Sequence, residues 1–129
     1  MQRAPLQTRS MVITKFGIVA TSQTLASQAG ALVLEHGGSA IDAAIAANAT
    51  LGVVQPGSNG IGGDLFAIVY EAKSGKLYGL NSSGWTPAGL TIEHLRSKGV
   101  KKLEGMNAVT VPGAVAGWDA LHARFGVMP

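Results

Sequence analysis

Gly37-Gly-Ser-Ala-Ile-Asp-Ala-Ala-Ile-Ala46 is the stretch from which the rest of this chain can be read. The paired glycines Gly37 and Gly38 stop one helix, because glycine enters the left-handed backbone region at little cost. Ser39 then opens another helix. Its hydroxyl can accept from the backbone N–H three residues on, and Asp42 at that position lies in the first turn, where the helix dipole favours negative charge. Alanine recurs at positions 40, 43, 44, 46, 47 and 49. Side chains that small let a neighbouring helix or sheet come close, and they predict a helix to about Val53 that is buried on most sides.

Upstream, Thr24 to His36 carries Leu25, Ala29, Leu32 and Val33 at helical spacing, and Lys15-Phe-Gly-Ile-Val-Ala-Thr-Ser22 before it reads as a short strand. Residues 1–14 form an expected flexible leader, and Met1–Ser10 lacks the apolar core of a signal peptide. Downstream, Gln55-Pro-Gly-Ser-Asn-Gly-Ile-Gly-Gly-Asp64 is a loop whose glycines permit backbone angles closed to other residues. Leu65–Tyr70 and Leu77–Asn81 are strands around a hairpin turn at Ala72–Lys76. Ser82–Pro87 is irregular, and a short helix follows from about Ile92 to Lys98. Ala108–Gly113 reads as a brief strand, and Ala114–Phe125 as a last helix stopped by Gly126.

Composition narrows the function classes. Charged residues make up 13% of the 129, and glycine accounts for 18. A small free-standing domain has much surface and should be rich in charge, so part of this surface is expected to lie against further protein. The net charge of +3 is scattered, and the densest basic cluster (Lys98, Lys101, Lys102) has no interleaved aromatics, so no nucleic-acid partner is expected. The apolar run Ala40–Val54 is too short to span a membrane and is broken by Asp42 and Asn48. A soluble, cytoplasmic protein without membrane contact is the expectation. There is no cysteine, so neither a disulfide nor a thiolate metal site can form.

The glycine loop invites a phosphate-binding reading, which its spacing rejects. A Walker A motif needs Lys and Ser/Thr after its second glycine, where Gly63 and Asp64 stand. A dinucleotide fingerprint from Gly60 needs Gly or Ala at 65, where Leu65 stands. His36, His94 and His122 each stand alone, without a second ligand at metal spacing. No Gly-x-Ser-x-Gly elbow is present. The residues by themselves therefore predict a glycine-rich chain mixing helices and strands, with no catalytic residue, cofactor or metal site.

Four blocks in register carry a resemblance. They are Gly17–Ser22 running into Leu25–Gly30, the Gly37–Ala46 stretch, Gly60-Ile-Gly-Gly-Asp-Leu-Phe66 after Pro56, and Val109–Ala114 followed by Gly117-Trp118. Together they resemble the large-subunit region of γ-glutamyltranspeptidases and their acylase-like relatives, with Ser39 where the family usually has another capping residue, Asn. The resemblance implies an α+β fold, part of the αββα sandwich of N-terminal-nucleophile hydrolases, with residues 15–129 as the N-terminal part of the large subunit. It further implies a self-cleaving precursor in which the newly exposed N-terminal Thr of a C-terminal small subunit attacks a small-molecule amide substrate. That Thr and the oxyanion-hole glycines belong to the small subunit and match nothing here. Glutathione-cleaving members carry an Arg that binds the substrate α-carboxylate at the position of Ser83; acylase-like relatives tend to have Arg at that of Trp85. Ser83 and Trp85 are therefore the expected substrate-binding positions, with the family's charge missing. Otherwise Trp85 is a packing residue in a turn. A non-catalytic binding or scaffold subunit of the same fold is the competing expectation.

Overall fold

The reversal at Gly37–Gly38 forms as the sequence predicts. In the computed structural model, which describes residues 11–129, helix α1 spans Thr24–Glu35 and helix α2 spans Ala40–Val54. Gly37 adopts φ +88°. The Gly38 N–H donates to the Val33 carbonyl and the Gly37 N–H to that of Leu34, which satisfies two of the carbonyls a helix end leaves unpaired. The chain re-enters a helix at once through Ser39. The Asp42 N–H donates to Ser39 Oγ at 3.1 Å, and the Ser39 N–H donates back to Asp42 Oδ2 at 2.8 Å.

α1 and α2 then pack closely because Gly30 faces α2. A Cβ at that position would stand 2.9 Å from both the Ala43 carbonyl oxygen and Val19. The buried apolar side chains are small ones, Ala26, Ala43, Ala47 and Ala114, with Leu121. The expectation that α2 is buried on most sides is not met. Asp42, Ala43 and Ala47 are buried, but Ala44 and Ala49 on other faces are exposed, because α1 and α4 cover only part of the helix.

Strands β1 (Leu65–Glu71) and β2 (Lys76–Ser82) pair antiparallel, with Leu65 opposite Ser82 and Glu71 opposite Lys76. Alternation along the pair splits them into two faces. Leu65, Ala67, Val69, Tyr78 and Leu80 turn inward toward helix α4 (Ala114–Phe125), while Phe66, Ile68, Tyr70 and Leu77 remain 65–80% exposed. A short helix α3 (Ile92–Ser97), started by the Thr91 hydroxyl accepting from the His94 N–H, links the hairpin to a 3-10 turn at Gly105–Ala108. α4 is fixed by Trp118 Nε1 donating to Asn48 Oδ1 of α2 at 2.9 Å, and by Tyr78 stacking against Phe125.

Two expected strands do not form. Lys15–Ser22 is extended or bent chain with Gly17 at φ +117°, and Ala108–Gly113 starts as the end of the 3-10 turn and continues without strand pairing. A strand needs a ladder partner, and the sheet among the described residues consists of β1 and β2 alone. Of the expected leader, residues 1–10 lie outside the described residues, and 11–14 are exposed without regular structure.

Asp42 does more than cap α2. It is 7% exposed, and Oδ2 also accepts from the Val127 N–H at 3.0 Å and the Met128 N–H at 3.4 Å. Burial by itself would raise its pKa. The hydrogen bonds from the Ser39, Val127 and Met128 backbone, with that to the Ser39 side chain, outweigh it and hold the carboxyl below its ordinary 3.8. Asp42→Ala removes a cap and leaves part-buried N–H donors without their acceptor, so an unfolding free energy lower by about 2–4 kcal/mol is expected. Because the folded pKa is depressed, the contribution is complete above pH 3.8 and fades as pH falls through the folded value. Urea unfolding of both proteins at neutral and acid pH checks both points: a gap that does not narrow in acid contradicts the ionised role.

Candidate functional site

Three largely irregular stretches meet at the end of β2: Gly63-Asp64, Ser82–Trp85, which begins with the last residue of β2, and Thr110–Ala114, which runs into the first residue of α4. They are stitched together by main-chain groups. The Gly113 and Ala114 N–H groups donate to the Gly63 carbonyl at 3.0 and 2.9 Å, and the Val111 N–H donates to that of Trp85 at 3.0 Å. Ser82 Oγ donates to the Gly113 carbonyl at 2.7 Å. Asp64 Oδ1 takes the Gly84 N–H at 3.1 Å and the Thr110 hydroxyl at 3.2 Å. The backbone groups that would otherwise have entered a strand ladder are satisfied here instead.

Glycine makes this junction possible. A Cβ on Gly84 would overlap the Val111 carbonyl, and one on Gly113 would overlap that of Ser82. At Gly117, on the first turns of α4, it would stand 2.5 Å from Leu65 Cδ2 and 2.9 Å from Ser82 Cβ. The glycines of the Gln55–Asp64 loop behave differently from expectation. None has positive φ, and Gly57, Gly60 and Gly62 have nothing within 4 Å of a built Cβ. That loop curves in the open with ordinary backbone angles, so it does not need glycine's freedom.

The junction determines where the two sequence-derived positions stand. The Ser83 N–H donates to Asn81 Oδ1 at 2.9 Å, and Ser83 is exposed. Trp85 is held by its carbonyl while its side chain is left 86% exposed, so it does not pack into its own turn. Asp64, which sequence reasoning took only as the end of a loop, is a titratable group bonded into this junction. The Gly84 N–H holds its carboxyl below the ordinary 3.8; the Thr110 and Ser83 hydroxyls act in the same direction against slight desolvation. The cue available in the sequence was an acidic residue closing a glycine run, which says nothing about a partner 20 residues away.

A sequence model described as Gamma-glutamyltranspeptidase matches residues 26–129. The chain belongs to the γ-glutamyltranspeptidase family. It is 38% identical over 129 residues to the glutathione hydrolase-like YwrD proenzyme of Bacillus subtilis, covering 98% of this chain and 23% of that protein. Among solved structures it is similar to the cephalosporin acylase of Bacillus halodurans, with 48% identity and a TM-score of 0.85 over 99% of this chain and 24% of the other. The γ-glutamyltranspeptidase of Helicobacter pylori matches at 38% identity and a TM-score of 0.83, covering 92% of this chain and 35% of that one. The chain thus spans about a quarter or less of the curated proenzymes it matches. The α+β arrangement is that of the N-terminal-nucleophile hydrolases, present here in part. Among the described residues, no helix is long and apolar enough to cross a membrane.

Proposed function

We propose that this chain is the N-terminal segment of a γ-glutamyltranspeptidase-like hydrolase or acyltransferase acting on γ-glutamyl or related amide bonds. Its catalytic Thr lies in a small subunit cut from the same precursor, and the Asn81–Pro87 segment borders the acyl pocket. The supporting observation is the stitched junction, which fixes this segment from both sides while leaving Ser83 and the Trp85 ring exposed to whatever lies against them. The uncovered apolar face of Phe66, Ile68, Tyr70 and Leu77 agrees with a chain that is packed against further protein.

Position 83 argues for a substrate other than one held by its α-carboxylate. A neutral Ser cannot make the two-pronged charged contact of an Arg. Ser83→Arg or Trp85→Arg in the full-length protein should therefore raise the preference for γ-glutamyl anilide over its uncharged α-carboxamide counterpart. A charge-assisted contact is worth about 1.5–3 kcal/mol, or roughly 10- to 150-fold in the ratio of kcat/KM values. An unchanged ratio in both variants would mean that the segment is structural and does not line the pocket.

A further inference from the structure

We propose that Asp64 sets the charge preference of this site: its carboxylate both fixes the Asn81–Pro87 segment and places a negative charge beside Ser83, so that acyl groups carrying a free carboxylate are disfavoured. The inference rests on the pocket reading above and extends it from a missing cation to a resident anion. Asp64 lies in the turn immediately before β1, and its Oδ1 receives the N–H of Gly84, the residue next to Ser83, at 3.1 Å. The Thr110 hydroxyl, from the third stretch of the junction, donates to the same oxygen at 3.2 Å. The carboxylate is thereby anchored within one residue of the position where the family's carboxylate-binding Arg would fall.

Among the described residues no cation pairs with its charge. The ion pairs there join Lys102 to Glu104 and His122 to Asp42, and none involves Asp64. The hydrogen bonds it accepts keep it ionised below the ordinary carboxylate range. An acyl group whose own carboxylate approached Ser83 would meet like charge in a partly aqueous setting, where repulsion is modest but directional. An uncharged or cationic acyl group would meet no such opposition. An Arg introduced at 83 would pair first with Asp64, and part of its attraction for substrate would be spent there.

The test uses the full-length protein with γ-glutamyl anilide and its α-carboxamide counterpart. Asp64→Asn keeps an oxygen for Gly84 and Thr110 and removes the charge. It should raise the anionic-to-neutral ratio of kcat/KM by about threefold to tenfold. In Ser83→Arg/Asp64→Asn the gain should exceed the product of the single gains, because the competing pair is gone. If Ser83→Arg or Trp85→Arg moves the ratio but Asp64→Asn moves it in neither background, the proposal is overturned and the pocket reading stands. If none of the variants moves it, both fall together. Should Asp64→Asn fail to fold, the parent protein still decides the matter. Salt shortens the range of charge interaction from about 30 Å at 0.01 M to about 8 Å at 0.15 M, so the ratio should climb across that range, and a flat response overturns the proposal.

Discussion

Purified by itself, the 129-residue chain should hydrolyse neither γ-glutamyl anilide nor any other amide above the buffer blank. Amide cleavage by a hydroxyl needs a base within about 2.6–3.2 Å to take its proton and donors to hold the oxyanion. Several of the described hydroxyls are engaged otherwise. Ser82 donates to the Gly113 carbonyl, Thr50 to that of Ala46 and Ser97 to that of His94, while Thr21 and Ser27 bond each other. His36 Nδ1 and His122 Nε2 face the carbonyls of Leu32 and Met128 rather than a hydroxyl. The Ser74 hydroxyl reaches the Glu71 carboxylate, and that of Thr110 reaches Asp64. The Asp64 carboxyl's pKa is lowered by the Gly84 N–H, which makes it a weaker base than an ordinary carboxylate. The expected deficit against a complete enzyme is of the order of the whole catalytic acceleration, about 10⁶-fold or more. Turnover by the purified chain, lost on substituting one of its own residues, would overturn the assignment of the nucleophile to another subunit; the full-length precursor, by contrast, should turn the substrate over.

What the sequence made legible is what is decided locally. The capping box at Ser39 and Asp42 lies within one helical turn, and the Gly37 stop within two residues of it, so both could be read directly and both are present. The hairpin follows from alternation on either side of a short turn, and its observed register runs from Leu65–Ser82 to Glu71–Lys76. The two missed strands are about as apolar as β2. They differ in lacking a strand partner among the described residues, and a ladder is a property of pairs. Asp42 was read as a cap, which is its local role; its grip on Val127 and Met128 spans some 85 residues and has no sequence signature. The candidate positions Ser83 and Trp85 came from resemblance alone, and nothing in their spacing pointed to the junction that presents them.

Gly84→Ala should be among the most damaging single substitutions in the chain, although Gly84 stands in an irregular stretch where the sequence attracts no attention. The added methyl would occupy the place of the Val111 carbonyl oxygen and press on Thr110 Oγ1 at 3.1 Å. No rotamer change relieves a clash with backbone, so one of the two strands of chain must move. Overpacking of this kind costs up to about 3 kcal/mol. The movement also endangers two hydrogen bonds, Gly84 N–H to Asp64 and Val111 N–H to Trp85, each contributing about 1 kcal/mol. A loss of about 3–5 kcal/mol is therefore expected, enough to expose a marginally stable fold to unfolding. Gly62→Ala is the internal control. Gly62 has open space around a built Cβ and no positive φ, so alanine there should be neutral or stabilising by about 0.4–1 kcal/mol through the unfolded chain. Urea unfolding of the two full-length variants beside the parent separates them. If Gly84→Ala unfolds at the same midpoint as Gly62→Ala, the close approach of Gly84 to Val111 does not exist in solution. A displaced segment would also carry Ser83 and Trp85 with it. Any Gly84→Ala protein that survives should therefore lose discrimination between anionic and neutral acyl groups along with its stability, whereas Gly62→Ala should keep both.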